Sequence, residues 1–210
     1  MVKNCEIEKR KPVKIGVNVR GRRVYEPFPI PIIQTKFNID NETIKEFCLE
    51  QEQNTSGVMQ SNVGGYQSPN LRLDTPELAE LMGAIEWSLN EYIEDLIYPP
   101  PLSVVNMWFN INYYKDTNAP HLHPHSVYSG AYYVQTPKDC GKICFQHPAL
   151  DLLYHYQTEG KDALFKGDAI ERGVYLFPSW LKHYVEPNMN IDEKRISISF
   201  NIRGTPEIIQ

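Results

Sequence analysis

The chain has 210 residues and a mass of 24.3 kDa, which suits one domain or one domain with a short appendage. Hydrophobic residues make up 41% and charged residues 22%, so the chain can bury a core and is not disordered overall. No apolar run reaches the roughly 18 residues of a membrane span, and the charged first ten residues do not resemble a signal peptide. Four scattered cysteines indicate reduced thiols, so we expect a cytoplasmic protein without membrane contact, not a disulfide-rich secreted chain or a collagen-like one.

Charge is distributed unevenly along the chain. Residues 1–26 carry eight basic and three acidic side chains, a balance of +5, whereas the remaining residues carry 13 basic and 23 acidic ones, a balance of −10. A basic arm on an acidic body could contact nucleic acid or an acidic partner, although a solvated extension is the simpler interpretation. We predict a basic N-terminal arm at residues 1–26 and one domain at residues 27–210.

The region after the arm predicts an extended segment and a short helix. Residues 26–34 contain three prolines among apolar residues, which is typical of an edge strand or an extended lead-in. Asp40 or Asn41 can cap a helix that runs to Gln53 with one apolar face.

A loop and a longer helix follow. Residues 61–68 are polar and rich in turn formers, which predicts a loop. Thr75 is the predicted cap of the longer helix, Pro76 occupies its first position, and apolar residues recur at helical spacing as far as Leu96. Three consecutive prolines at 99–101 end this helix.

From residue 103 onwards the sequence predicts strands. Short runs rich in Val, Ile, Tyr and Phe are punctuated by Gly, Pro and Asn, and they cover residues 103–115, 128–135, 141–146, 173–177, 183–186 and 195–203. No amphipathic helix separates them, so the strands should be mostly antiparallel. We predict a mainly β fold, a sandwich or jelly roll over roughly residues 103–203, with the 75–96 helix packed on its outer face.

The histidines form the clearest chemical pattern. All six lie in the second half, and three of them are His121, His123 and His125. Residues at i and i+2 of a strand project to the same side, so either neighbouring pair could hold one ion. His183 follows at a predicted strand start, and Arg195 opens the last strand. Non-haem iron takes three ligands on one face, and a buried arginine can bind a carboxylate of a cosubstrate, so the pattern favours an iron site.

The same residues resemble a known family. Its motifs occur in order between about residues 28 and 201, at 61–68, 108–112, 121–124, 129–134, 141–145, 173–183 and 195–201. The set resembles the 2-oxoglutarate/Fe(II) oxygenases common in marine phages and bacteria, which are similar to prolyl 4-hydroxylases. The resemblance implies a double-stranded β-helix (jelly roll, cupin-like), Fe(II) and 2-oxoglutarate as cofactors, and hydroxylation of a peptidyl residue such as proline. If the protein is viral, its location would be the host cytoplasm.

The resemblance also implies roles for individual residues. His121 and His183 would be iron ligands, and Arg195 would bind the distal carboxylate of 2-oxoglutarate with the help of Ser197 and Tyr133. No catalytic residue beyond the metal site is implied.

The chain departs from the family's wider His-x-Asp/Glu pattern, because His123 stands where the acidic residue is expected. We predict that His121, His123 and His183 form the metal-binding set, with His125 outside it because Pro124 lets the backbone turn. Two histidines and water, with His123 outside the set, is the alternative. Each imidazole must lose its proton to bind, so metal affinity should fall below about pH 6.5.

Simpler interpretations remain open at this point. Arg195 could form a surface ion pair with Glu193, and Tyr133 and Trp180 have residue types that are more typical of a core. The protein could also be a cupin-like metal-binding protein without turnover, or an oxidative nucleic-acid demethylase, for which the basic arm is the only indication. A peptide or protein is the expected partner; nucleic acid and self-association are further possibilities.

Overall fold

The structure is a computed structural model that describes residues 30–92, 101–149 and 163–204. It contains two α-helices, α1 (Asn41–Asn54) and α2 (Ala79–Glu91). The strands are β1 (Ile33–Lys36), β2 (Asn62–Val63), β3 (Tyr66–Gln67), β4 (Leu102–Asn112), β5 (Thr117–His121), β6 (Tyr128–Gln135), β7 (Ile143–Gln146), β8 (Leu164–Gly167), β9 (Gly173–Pro178), β10 (His183–Val185) and β11 (Arg195–Gly204). The basic arm and His155 lie outside the described residues. No described helix has the length and apolar character to cross a membrane.

The strands form two antiparallel sheets. The six-stranded sheet has the order β1-β9-β6-β11-β4-β3, and the five-stranded sheet has the order β2-β5-β10-β7-β8. An apolar cluster joins the inner faces of the two sheets, with Tyr133 and Phe177 from the first and Ile143 and Phe145 from the second. The predicted mainly β jelly roll is confirmed, and β1 lies at an edge, as the three prolines that precede it indicated.

The two helices differ in how well their starts were predicted. The side chain of Asp40 caps α1 by accepting a hydrogen bond from the backbone N–H of Glu42, at 3.0 Å. Thr75 holds the N-cap position of a 3-10 turn (Pro76–Leu78) that runs directly into α2, with Pro76 in its first position as predicted. Its hydroxyl makes no capping hydrogen bond and donates instead to the carbonyl of Arg72. The predicted start is therefore in place, although its first turn is 3-10 and lacks a side-chain cap, and the predicted end at Leu96 lies outside the described residues.

Four short strands were not predicted. The loop expected at 61–68 contains β2 and β3, which pair with different sheets and are joined by Gly64 and Gly65, both at positive φ. β2 and β3 have two residues each, which is too short to show the alternation of apolar and polar residues that predicts a strand. β5 was missed because Asn118 and Pro120 have low strand propensity, and β8 was missed because it is short.

The alternation of β11 separates the core from the site. Ile196, Ile198, Phe200 and Ile202 are buried on the outer face of the six-stranded sheet, in one cluster with Ile85 and other residues of the helices. The second helix therefore packs on the outer face, as predicted. Because side chains alternate along a strand, the residues between them, beginning with Arg195, face the interior of the jelly roll.

Candidate active site

Three histidines meet where β5 and β10 pair. His121, the last residue of β5, lies opposite His183, the first residue of β10, and His123 follows two residues later. One potential ligand nitrogen from each of the three lies within 4.8 Å of the others. The Nε2 atoms of His123 and His183 are 3.3 Å apart. His125 is not part of the group, because its backbone turns at φ 67°.

Backbone carbonyls orient two of these imidazoles. Nδ1 of His121 lies 2.7 Å from the carbonyl oxygen of Ala119, and Nδ1 of His183 lies 2.9 Å from that of Leu181. A carbonyl only accepts, so each Nδ1 carries the proton and each Nε2 keeps a free lone pair. Such hydrogen bonds from the opposite ring nitrogen are typical of metal-binding histidines.

Burial keeps the three imidazoles neutral. Burial, with a smaller contribution from repulsion by the neighbouring histidines, lowers the pKa of His183 to about 3 and that of His123 to about 4. The pKa of His121 is also lowered by burial. The sequence-based estimate of about 6.5 used the free imidazole; in the folded protein the ligands stay deprotonated to lower pH.

The donor set suits a divalent transition metal. Imidazole nitrogens bind iron, zinc, nickel and copper, and three neutral ones leave the full charge of the ion uncompensated. Among the described residues, no aspartate or glutamate belongs to the group. The three histidines could therefore hold a metal ion that retains open positions and a preference for an anionic ligand.

Arg195 supplies a second unusual feature of the interior. Its side chain is 1% exposed, and its Nη1 donates to the carbonyl oxygens of Cys140 and Glu186. Its Nη2 is buried without a hydrogen-bond partner, and no described carboxylate forms an ion pair with it. The alternative of a surface ion pair with Glu193 is therefore wrong. A buried guanidinium without a counter-ion is a site prepared for an anion.

Asn112 extends this anion site and was not predicted. It lies directly opposite Arg195 in the β4–β11 register and is 1% exposed. Both atoms of its amide group lack a partner, as does Nη2 of Arg195. The signal in the sequence is the alternation at the end of β4, where Asn110 and Asn112 alternate with the apolar Phe109 and Ile111. This alternation marks a polar inner face.

An inner cavity is lined both by the three histidines and by residues of β11, the strand that begins at Arg195. Ser197 and Tyr133 line it, and they are paired across β11 and β6. His121, His123 and His183 line the same cavity. Burial raises the pKa of the Tyr133 phenol, so its hydroxyl stays protonated and can donate a hydrogen bond.

Two aromatic residues have different environments. Tyr133 is 2% exposed and belongs to the core cluster between the sheets. Trp180 is 47% exposed, so the expectation that it belongs to the core is wrong.

The comparisons with known proteins agree with this geometry. Residues 106–201 match a family model described as "Putative 2OG-Fe(II) oxygenase". None of the curated proteins matches the chain.

Solved structures with the same fold include several hydroxylases. The viral collagen prolyl hydroxylase of Paramecium bursaria Chlorella virus-1, solved with 2-oxoglutarate, is 10% identical, with a TM-score of 0.58 over 83% of this chain and 96% of that one. A Pseudomonas putida prolyl-4-hydroxylase is 11% identical, with a TM-score of 0.60 over 84% and 94%. HygX from Streptomyces hygroscopicus, solved with nickel and 2-oxoglutarate, is 13% identical, with a TM-score of 0.59 over 84% of each chain. Residues 106–201 are therefore similar to the 2-oxoglutarate/Fe(II) oxygenase family, and the chain has the fold of the prolyl hydroxylases.

Proposed function

We propose that this oxygenase hydroxylates a peptidyl residue such as proline at an iron centre held by His121, His123 and His183. The observation that carries the proposal is the convergence of three neutral imidazoles on one point in an inner cavity. A buried arginine whose Nη2 lacks a partner opens β11, the strand whose Ser197 lines the same cavity. When bound, Fe(II) and 2-oxoglutarate supply the oxidising chemistry, in which 2-oxoglutarate is decarboxylated to succinate and one oxygen atom enters the substrate.

The three imidazole rings are already oriented and deprotonated for metal binding. The carbonyls of Ala119 and Leu181 fix two rings, and burial keeps all three rings deprotonated at neutral pH. Three imidazoles leave an Fe(II) site at a formal charge of +2, whereas a site with one carboxylate would have +1. Dianionic 2-oxoglutarate neutralises the site completely, so metal and cosubstrate should strengthen each other's binding.

Arg195 and Asn112 would bind the distal carboxylate. The guanidinium and the amide offer unpaired polar atoms at adjacent positions of two paired strands. Ser197 is two residues from Arg195 on the same face of β11, so its hydroxyl can assist, and Tyr133 faces the cavity across the strand pair. A buried polar atom without a hydrogen-bond partner costs free energy, and a bound carboxylate would remove this cost at Arg195 and Asn112, which favours binding of a dicarboxylate.

The peptidyl substrate is supported by prolyl hydroxylases that have the same fold. A prolyl hydroxylase from Trichoplax adhaerens, solved with a peptide fragment, is 13% identical, with a TM-score of 0.56 over 82% of this chain. The viral and Pseudomonas enzymes are also prolyl hydroxylases.

The test separates turnover from metal binding alone. The full chain is reconstituted with Fe(II) without oxygen, and succinate formation from 2-oxoglutarate is then followed in air with proline-containing peptides. We expect succinate formation that depends on Fe(II) and rises with an accepted peptide, and a mass gain of one oxygen atom in that peptide. Bound iron without any succinate would instead support the metal-binding protein without turnover.

A further inference from the structure

An open groove of about 690 Å³ lies beside His121 and His123. Its volume is within the range of ligand-binding clefts. Sixteen residues line it, and none is Asp, Glu, Lys or Arg, although 22% of the chain is charged. Five lining residues instead carry side-chain amides: Gln60, Gln67, Asn70, Asn106 and Asn201. Its only titratable side chains are those of His121 and His123, which burial keeps neutral, so the groove is uncharged and rich in groups that both donate and accept hydrogen bonds.

Two of these amides have unused hydrogen-bonding capacity. Gln67 is 5% exposed, and its Oε1 is buried without a partner. Oδ1 of Asn106 is also buried and unpaired. A buried acceptor without a partner costs free energy, and a ligand that supplies an N–H group removes this cost.

The positions of these amides favour an elongated ligand. Gln67 of β3 lies opposite Asn110 of β4, and Asn106 is four residues from Asn110 along β4. At about 3.3 Å per residue, the two backbone positions are separated by about 13 Å along the strand direction. Trp108 lies midway, and its ring centroid is 5.6 Å from that of His123. A ligand that spans both amides therefore passes the candidate metal ligands near its middle.

We propose that this groove binds an extended peptide segment whose side chains are uncharged where they enter it, and that Gln67 and Asn106 determine this specificity. An extended peptide repeats at the spacing of the groove's own strands and presents alternating N–H and C=O groups, which side-chain amides can match. A nucleic-acid strand would need cationic side chains for its phosphates, and the lining has none. The inference rests on the proposed function, because it names the substrate segment of that same site.

The experiment measures which peptides the groove retains. The full chain is loaded with zinc, which has no redox chemistry, and with 2-oxoglutarate, and it is then incubated with a degenerate peptide library. The retained pool is sequenced for the parent and for Asn106→Asp and Gln60→Glu, each of which places a negative charge in the groove. Gln60 is exposed, so its variant should fold even if Asn106→Asp does not. Gln53→Glu, at an exposed position of α1, is the matched control.

We expect the parent to retain peptides that are depleted about threefold or more in Asp, Glu, Lys and Arg at their central positions. The two groove variants should shift the retained pool towards Lys and Arg, whereas Gln53→Glu should select the same pool as the parent. A pool that matches the input, or one that the groove variants leave unchanged, would overturn the proposal. Groove-dependent binding of a DNA strand or of maltohexaose in place of peptides would also overturn it. Retention does not require turnover, so a protein that forms no succinate but selects uncharged peptides would contradict only the proposed function.

Discussion

Replacing Arg195 with methionine tests whether the buried arginine binds the cosubstrate or only supports the fold. The variant keeps an unbranched side chain of similar length and removes the charge. Two hydrogen bonds from Nη1 to the carbonyls of Cys140 and Glu186 are lost, each worth about 1.5–3 kcal/mol because the donor is charged. The removal of an unpaired buried charge offsets this loss, since burying an ion costs several kcal/mol.

We therefore expect opposite results for stability and for binding. Without 2-oxoglutarate, the free energy of unfolding should change by less than about 2 kcal/mol, because the two effects nearly cancel. The affinity for 2-oxoglutarate should fall by about 2–5 kcal/mol, the usual cost of truncating one side of a buried charge pair, or about 30- to 5,000-fold.

The assay is calorimetric titration of zinc-loaded protein with 2-oxoglutarate, together with urea unfolding of the cosubstrate-free protein. Arg203→Met is the matched control, because Arg203 lies on the same strand but is exposed and donates to the carbonyl of His125. A variant Arg195→Met that binds 2-oxoglutarate within threefold of the parent would refute the assignment. A loss of both stability and affinity would show that Arg195 serves the fold first.

Three further predictions concern pH, the second anion-binding residue and packing. The pKa of His123 is about 4 in the folded protein and near 6.5 in an unfolded chain, so its contribution to stability is complete above pH 6.5 and is lost as the pH falls towards 4. Urea unfolding of the metal-free protein should therefore show a loss of about 2 kcal/mol from this residue at pH 5, whereas equal stability at pH 7.5 and pH 5 would contradict the prediction. Asn112→Leu should leave the unfolding free energy of the cosubstrate-free protein unchanged or slightly higher, because both polar atoms of the Asn112 amide lack partners. Calorimetry should show about tenfold weaker binding of 2-oxoglutarate to this variant, and unchanged binding would remove Asn112 from the site. Gly130→Ala should destabilise the fold by about 3 kcal/mol, because the new Cβ would overlap the ring of Phe200. Gly83→Ala, at an exposed position of α2 where a Cβ meets nothing within 4 Å, should increase stability by about 0.5–1 kcal/mol, so thermal unfolding of the two variants should show shifts of opposite sign.

The sequence predicted the long, regular elements because their patterns are local. The alternation of β11 and the apolar stripe of α2 follow from periods of two and 3.6 residues, so the layers and the interior direction of Arg195 could be predicted. The start of the second helical segment at Thr75 and Pro76 could also be predicted, but not its 3-10 first turn or the bond of the Thr75 hydroxyl to the Arg72 carbonyl, because a threonine hydroxyl can bond to a nearby carbonyl instead of capping.

The candidate site was only partly predictable for a related reason. His121, His123 and His183 carry a recognisable spacing, and the structure brings them together. Asn112 and the groove amides are ordinary polar residues in sequence. Their importance depends on register across strands, which places Asn112 opposite Arg195 and Gln67 opposite Asn110, and on which atoms remain without partners. Neither property can be computed from spacing along one chain.

The central claim is a metal centre of three histidines without a carboxylate, and iron content tests it most directly. The parent and the alanine variants of His121, His123, His183 and His125 are reconstituted with Fe(II) without oxygen, and the bound iron per chain is measured. We expect about one iron in the parent and in His125→Ala, and loss of iron in the other three variants, because, of these four imidazoles, those of His121, His123 and His183 converge. Full iron retention by His123→Ala together with loss in His125→Ala would contradict the account.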